Sequence, residues 1–210
     1  MIATDHGAGR SVRPVNPGLN DPRIRASLRE HLDAQHSGKP DTVIIDELGI
    51  CQGRTRVDVA VVNGLLHGYE IKSDHDSLLR LAEQAVRYGK VFDRATLVIG
   101  TRHEVTAPSL VPDWWAVMRV AVHAGKLRFR TLRRGRKNPA QDPRALVELL
   151  WLSDAIELLE QRNAARGLRG KPRRLVWDRI CEELSPAEIS AEVRKQLKAR
   201  SARRGTRPRS

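Results

Sequence analysis

The chain has 210 residues, of which 40% are hydrophobic and 30% are charged. This apolar content is enough for a packed core and excludes a wholly disordered protein. The 38 lysines and arginines exceed the 25 aspartates and glutamates, giving a net charge of +13 that favours a polyanionic partner such as nucleic acid. The sequence shows neither a membrane-spanning stretch nor a secretory signal, and Cys51 and Cys181 form no disulfide framework, so we expect a cytoplasmic protein without a membrane partner. The composition leaves the oligomeric state open.

The first half of the chain alternates between strand and helix patterns. Residues 1–22 are rich in Gly, Pro and Asn and predict a flexible arm. A helix follows over residues 23–35, where Ile24, Leu28 and Leu32 recur at a spacing of four. Four strand patterns follow, at residues 43–48, 56–62, 65–72 and 95–99. A helix at residues 77–91, capped by Asp76, lies between the third and the fourth of them.

The second half begins with a hairpin and becomes helical. The hairpin pairs residues 116–123 with residues 127–132, and helical patterns follow at residues 143–166 and 175–200. The sequence therefore predicts an α/β fold with a mixed sheet and a C-terminal helical extension. The predicted divisions are an arm at 1–22, an α/β region at 23–135, a helical region at 136–200 and a disordered basic tail at 201–210.

Two of the predicted strands carry charge in their interiors. Asp58 interrupts RVDVAVV, and Glu70 and Lys72 flank Ile71 in GYEIKSD. Because side chains alternate along a strand, Glu70 and Lys72 share one face while Ile71 points to the other. The pattern predicts a polar site on one face of a strand whose other face is packed.

The length of the hairpin loop decides whether Asp58 lies on the face of Glu70. A two-residue loop, Asn63-Gly64, pairs Asp58 with Tyr69 and puts it on the opposite face. A three-residue loop that begins at Val62 pairs Asp58 with Gly68 and puts it on the same face. We expect the three-residue loop, with Gly64 in the left-handed conformation of a bulged turn.

Two carboxylates and a lysine on one face suit the hydrolysis of a phosphodiester bond. Carboxylate oxygens are the ligands that a hard cation such as Mg²⁺ prefers, and a bound cation activates water and compensates phosphate charge. A neighbouring lysine orients or deprotonates the attacking water, or stabilises the charge that develops. These residues require no cofactor other than a divalent metal.

The spacing of Asp58, the hairpin and Glu70-Ile71-Lys72 resembles the PD-(D/E)XK, or restriction-endonuclease-like, nuclease superfamily. The predicted order of helix, three-strand meander, helix and strand also resembles the core of that superfamily, and the sequence is similar to a bacterial branch of it. The resemblance implies that residues 23–135 form the nuclease-like domain. It implies Asp58, Glu70 and the backbone carbonyl of Ile71 as ligands of Mg²⁺ or Mn²⁺, and Lys72 as the catalytic lysine.

Members of the superfamily usually add an upstream acidic residue and a polar residue from the helix after the third strand. We take Glu47 as the acidic ligand, with Glu30 on the first helix as the alternative, and Gln84 as the helix residue. Arg80, Gln84 and Tyr88 would share one helix face. The sequence departs from the superfamily pattern in having Val57 where the name implies a proline.

Nucleic-acid contacts are expected from a run of basic residues that gives no sequence readout: Arg128, Arg130, Arg133, Arg134, Arg136 and Lys137. Trp114 and Trp115 are interpreted as packing residues, and Trp151 and Trp177 as core residues. The sequence therefore predicts a Mg²⁺-dependent deoxyribonuclease, acting on DNA in preference to RNA, with a role in repair or defence. The alternative is a non-catalytic nucleic-acid-binding accessory protein that keeps the nuclease fold.

Overall fold

The structure, a computed structural model, describes residues 20–205; most of the predicted flexible arm (residues 1–19) and the end of the predicted basic tail (residues 206–210) lie outside it. The helices in this part are α1 (Asp21–Gln35), α2 (Leu81–Val91), α3 (Pro143–Val147), α4 (Leu152–Gln161), α5 (Arg173–Glu183) and α6 (Pro186–Gly205). The strands are β1 (Val43–Ile50), β2 (Thr55–Val62), β3 (Leu66–Lys72), β4 (Arg94–Ile99), β5 (Ala116–His123) and β6 (Lys126–Arg133). None of the helices between residues 20 and 205 is long and apolar enough to cross a bilayer.

The six strands form one mixed sheet in chain order, from β1 at one edge to β6 at the other. β1, β2 and β3 form an antiparallel meander, β3, β4 and β5 are parallel, and β6 returns antiparallel to β5. The parallel step from β3 to β4 needs a crossover connection, which α2 provides. The predicted mixed α/β fold is therefore present.

Helices cover both faces of the sheet. On one face, the buried stripe Ile24, Leu28 and Leu32 of α1 packs against a cluster that includes Tyr69 and Ile71 of β3. On the other face, α2 and the four C-terminal helices share one continuous core with the sheet. The helical region after β6 therefore belongs to the same hydrophobic core as the strands.

The hairpin between β2 and β3 has the predicted number of loop residues in a different position. Val62 pairs with Leu66, so the loop is Asn63-Gly64-Leu65, and the Asn63 side chain accepts a hydrogen bond from the Leu65 N–H. Gly64 does not adopt the left-handed conformation, so that prediction is wrong. The polar Asn63 side chain closes the turn instead, as an Asx turn does.

The start of the second helix also differs from the prediction. α2 begins at Leu81, after Arg80, and Asp76 does not cap it. Asp76 instead accepts hydrogen bonds from the N–H and the hydroxyl of Ser73, which closes a local turn directly after β3. Aspartate forms such turns as readily as it caps helices, so the sequence signal alone did not distinguish them.

Each of the two long helices predicted for the C-terminal region is divided in the structure. The first becomes α3 and α4, separated by residues 148–151, and the second becomes α5 and α6, separated at Leu184 and Ser185. Ser185 and Glu188 form a reciprocal capping box, in which each side chain accepts from the other's backbone N–H. This Ser-x-x-Glu signal is visible in the sequence and marks the start of α6.

Candidate active site

Three carboxylates lie in one row across neighbouring strands. The β1–β2 register pairs Asp46 with Val59, which brings Glu47 opposite Asp58. The β2–β3 register pairs Val59 with Tyr69, so the next position brings Asp58 opposite Glu70, not opposite Gly68 as predicted. The shift by two residues preserves the predicted alternation and moves Asp58 from the level of Gly68 to the level of Glu70.

The backbone pairing between β2 and β3 ends at Val59 and Tyr69. Beyond that point the Asp58 side chain, instead of the β2 backbone, accepts the hydrogen bond from β3. Asp58 Oδ2 accepts a hydrogen bond of 2.7 Å from the Ile71 N–H, and Asp58 Oδ1 accepts one of 2.8 Å from Arg25. Burial, and then the nearby charge of Glu70, raise the pKa of Asp58 to about 7. The two carboxylates therefore interact electrostatically across the strands.

Glu70 is the most enclosed carboxylate of the row, with 2% of its side chain exposed. Its Oε1 accepts hydrogen bonds of 2.6 Å from both Lys72 Nζ and Gln84 Nε2, and its Oε2 accepts one of 2.7 Å from the Tyr88 hydroxyl. Ile71 is buried on the other face, as the strand alternation predicts. Three donors thus offset the cost of burying the Glu70 charge.

Helix α2 presents Gln84 and Tyr88 to Glu70 because it packs very close to β3 at Gly68. A Cβ atom at Gly68 would lie 2.8 Å from the Phe92 ring and 2.9 Å from the Tyr88 ring. Tyr88 is fully buried, and burial and then the Glu70 charge raise its pKa well above the usual value. The glycine therefore makes room for the residue that positions Glu70.

Glu47 lies beside Asp58 but is linked to it through an arginine. Arg25 of α1 donates to Glu47 Oε1 at 2.7 Å and also to Asp58, while Arg56 donates to Glu47 Oε2 at 3.0 Å. Glu47 has a left-handed backbone (φ 53°), whereas Glu30, the alternative acidic residue, lies exposed on α1. Arg25 is a site residue that sequence reasoning missed, because a contact between residues 33 positions apart leaves no local signal.

The donor atoms of the row fit a divalent cation in part. Residues 20–205 contain no group of three or more His, Cys, Asp or Glu side chains arranged to hold a metal ion. Magnesium, however, commonly uses one or two carboxylates and completes its shell with water and substrate phosphate, a set that Asp58 and Glu70 can supply. Two buried oxygen atoms, Oε1 of Gln84 beside Glu70 and Oδ1 of Asp21 beside Arg25, have no hydrogen-bond partner among the described residues, and the Gln84 oxygen would suit a water held next to Glu70.

The Ile71 carbonyl also suits this donor set. The Lys72 carbonyl accepts from the Gly100 N–H on the β4 side. Because carbonyl directions alternate along a strand, the Ile71 carbonyl faces β2, where its own N–H meets Asp58. Asp58, Glu70 and the Ile71 carbonyl are thus the groups that would hold a cation where the strands part.

The predicted nucleic-acid-binding residues lie at the β6 edge of the sheet, opposite the β1 edge. All but one of them are exposed there, namely Arg128, Arg130, Arg134, Arg136 and Lys137. Arg133 is different, because its guanidinium donates to the backbone carbonyls of Pro108, Pro112 and Trp115. Arg133 therefore fixes the segment before β5, whereas its neighbours are available to solvent.

The tryptophans divide between core and surface. Trp115 is fully buried and Trp177 is nearly so, as interpreted from the sequence. Trp151 is 52% exposed, so its interpretation as a core residue is wrong. It lies immediately before α4, where the predicted continuous helix is interrupted, and the interruption turns its ring out of the core.

Comparison with known proteins connects the chain to a phage protein. The profile of a family described as bacteriophage P4 protein cII matches residues 16–206. Protein cII of Enterobacteria phage P4 is 29% identical over 121 residues, which cover 58% of this chain and 46% of that protein. The chain thus spans less than half the length of this relative.

Among solved structures, SfsA of Pyrococcus furiosus in complex with Ca²⁺ aligns with 63% of this chain and 75% of its own. The sequence identity is 15% and the TM-score is 0.36, a likeness that supports no conclusion about fold or function.

Proposed function

We propose that this chain, which belongs to the family of bacteriophage P4 protein cII, is a metal-dependent nuclease of the PD-(D/E)XK type that hydrolyses phosphodiester bonds in DNA. The observation that carries the proposal is the grouping of Asp58, Glu70 and Lys72 at the point where β2 and β3 part. The order of α1, the β1–β3 meander, α2 and β4 supports it. Val57 stands before Asp58, where the name of the superfamily implies a proline, and it takes part in none of these hydrogen bonds.

The proposed roles follow from the contacts. Asp58, Glu70 and the Ile71 carbonyl would hold Mg²⁺ or Mn²⁺, with Glu47 as the further acidic ligand and Gln84 as the polar helix residue beside them, and the cation would supply a Lewis acid that activates water. Lys72 Nζ, held 2.6 Å from Glu70, orients the attacking water or stabilises charge on the phosphate. Tyr88 and Gln84 position Glu70, because both donate to its carboxylate.

Arginines outside this centre would supply the affinity for DNA. Uncompensated carboxylates repel phosphate, so binding must depend on cations elsewhere. The exposed arginines at the β6 edge fit this role and contact phosphates without reading sequence.

The proposal is tested by incubating the purified protein with labelled duplex DNA, single-stranded DNA, branched DNA and RNA, each with Mg²⁺, Mn²⁺ or EDTA. We expect metal-dependent cleavage of at least one DNA substrate and none in EDTA. Glu70→Gln should abolish cleavage, whereas Glu104→Gln, which changes a carboxylate paired with Arg119 elsewhere, should preserve it. Metal-independent cleavage, or equal cleavage by the Glu70→Gln variant, would overturn the proposal.

A second candidate is a nucleic-acid-binding accessory protein without catalysis. It is favoured by the hydrogen bonding of the row, in which Arg25 occupies one oxygen of Asp58 and three donors already satisfy Glu70. DNA binding without cleavage under every metal condition would support this candidate. The two proposals therefore differ only in the outcome of the cleavage assay.

A further inference from the structure

Trp151 is a large aromatic side chain that the fold leaves half exposed. The Arg200 guanidinium lies over its ring at 4.8 Å, and 52% of the residue is accessible to solvent. Burial of one tryptophan face against a cation leaves the rest of the ring as a surface on which another flat group can stack. Exposed aromatic rings of this kind are the usual stacking sites for unpaired nucleobases.

Two cavities meet at Trp151. One, of about 300 Å³, is lined by Glu47 and Leu48 of β1, and the other, of about 580 Å³, is lined by Arg173 and Arg174 of α5. Two further hollows beside Glu47 extend the first cavity towards Arg56 and Arg25. We call these adjoining cavities, which share lining residues, the Trp151 groove; it extends from Glu47 to the start of α5.

The charge of the groove suits a polyanion. Seven arginines and four carboxylates line its cavities. Each of these carboxylates accepts a hydrogen bond from a neighbouring side chain. Asp21 accepts from Arg25, Asp46 from Arg29, Glu47 from Arg25 and Arg56, and Glu148 from Gln52. Arg173 and Arg174 are exposed and form no ion pair with any residue in the described part of the chain. They are the cations available to a ligand.

The wall of the groove is built from unusual backbone. Cys51, Gln52 and Gly53 adopt three successive left-handed conformations, with φ of 50°, 58° and 81°, and Glu47 adds a fourth at 53°. Such conformations are costly for residues other than glycine and are concentrated at functional sites. Gln52 and Gly53 line the cavity that holds Trp151, and Gln52 hydrogen-bonds Glu148 across it.

We propose that the Trp151 groove binds a single-stranded segment of nucleic acid, with a base stacked on Trp151 and phosphates on Arg173 and Arg174. The strand is single because a base must leave its duplex partner before it can stack on a protein ring. The groove ends at Glu47, beside the candidate catalytic centre. If the proposed nuclease function holds, the groove identifies the nuclease substrate as DNA with an unpaired segment, and this part of the inference rests on that function. The binding itself does not depend on cleavage.

Fluorescence anisotropy of a labelled oligothymidine in EDTA tests the proposal with the full chain. Removal of one stacking ring weakens binding about 5- to 150-fold, so we expect this weakening for Trp151→Ala and near-parental affinity for Trp151→Phe. Leu79→Ala, which removes an exposed apolar side chain outside the groove, should have no effect. Replacing Arg173 and Arg174 with alanine should flatten the logarithmic salt dependence by about 0.7 for each phosphate that is no longer neutralised.

Binding of the same oligonucleotide annealed to its complement distinguishes a single-stranded occupant of the groove from a duplex. We expect the Trp151→Ala change to leave duplex affinity unaltered. Equal affinity of the parent and Trp151→Ala for oligothymidine overturns the inference, as does an equal Trp151-dependent decrease on duplex. The binding assay contains EDTA, so its result does not depend on cleavage. Trp151-dependent binding together with no cleavage in the separate Mg²⁺ assay would retain this site and reject the nuclease. Cleavage without Trp151-dependent binding would do the reverse.

Discussion

At the β1 edge of the sheet, arginines lie against carboxylates and are paired with them, whereas at the β6 edge all the arginines of the basic run except Arg133 are exposed to solvent. Arg25, Arg29 and Arg56 all donate to acidic side chains of β1 or β2. Arg134 and Arg136 form no ion pair with residues 20–205. The positive charge of the chain is thus divided between compensation of a candidate catalytic centre and free surface charge.

A basic composition therefore does not by itself locate a ligand. A paired arginine contributes little further attraction to phosphate, because its charge is already compensated. An exposed arginine can replace counterions on DNA and makes binding salt-dependent. The two edges should respond differently to substitution, and the following experiments test that difference.

Catalysis at the carboxylate row should respond most strongly. Lys72→Ala should lower the single-turnover rate at saturating DNA by about 10²- to 10³-fold, because it removes a preorganised cation at the reacting phosphate. Lys126→Ala, an exposed lysine at the start of β6, is the matched control and should cleave like the parent. If the two variants cleave equally well, Lys72 has no catalytic role.

The packing that positions Glu70 should be the next most sensitive feature. Gly68→Ala should destabilise the fold by about 1–3 kcal/mol, because its Cβ would overlap the Tyr88 and Phe92 rings. Gly64→Ala is the control, since a Cβ there meets nothing within 4 Å. Urea unfolding should show a lower midpoint for the first variant only; a Gly68→Ala protein as stable as the parent would mean that α2 can move away from β3.

The members of the site differ in how far local sequence determines them. The alternation of Glu70, Ile71 and Lys72 is local, so strand periodicity predicted that Ile71 packs on the face opposite to Glu70 and Lys72. Asp58 reached the level of Glu70 because the loop kept its odd length, although the exact register was wrong. Arg25 and the buried Tyr88 hydroxyl depend on how α1 and α2 dock on the sheet, and local patterns do not encode that docking.

Errors outside the site have similar causes. Periodicity continued through residues 148–151, so it hid the break that exposes Trp151, whereas the Ser185–Glu188 capping signal could have marked the start of α6. The basic residues predicted to bind nucleic acid have two different roles in the structure. Only its contacts show that Arg133 holds backbone carbonyls while Arg134 does not.

The salt dependence of DNA binding compares the two kinds of arginine directly. Replacing Arg134 and Arg136 with alanine should flatten the logarithmic salt dependence of duplex binding by about 0.9 for each phosphate that is no longer neutralised, up to about 2 units in total. Arg29→Ala, in which the removed guanidinium is paired with Asp33 and Asp46, should leave the slope unchanged. Equal slopes in all three proteins would show that the β6 edge does not contact DNA.

A weaker effect is expected in the pH dependence of stability, in the same half of the sheet as the carboxylate row. Burial, and then the charge of Arg94, lower the pKa of His67 to about 3, so its neutral ring, which hydrogen-bonds Thr96, contributes stability above pH 6.5. That contribution is lost as the pH falls from about 6.5 towards 3, because the unfolded chain then binds the proton first. Relative to His67→Gln, the parent should lose up to about 2 kcal/mol between pH 7 and pH 5 in urea titrations. Parallel stability profiles would show that His67 is not protected from protonation.

Metal binding can be measured independently of cleavage, and it tests whether Asp58 and Glu70 hold the divalent cation. Electron paramagnetic resonance of free Mn²⁺ can be titrated with the protein bound to a phosphorothioate duplex that resists hydrolysis. We expect Asp58→Asn and Glu70→Gln each to weaken Mn²⁺ binding at least about 10-fold, the range seen when a ligand or its support is removed. Glu148→Gln, which alters a carboxylate bonded to Gln52 near the β1 edge, should bind Mn²⁺ like the parent. Equal Mn²⁺ affinity in the parent and in both row variants would contradict the assignment of these carboxylates as metal ligands.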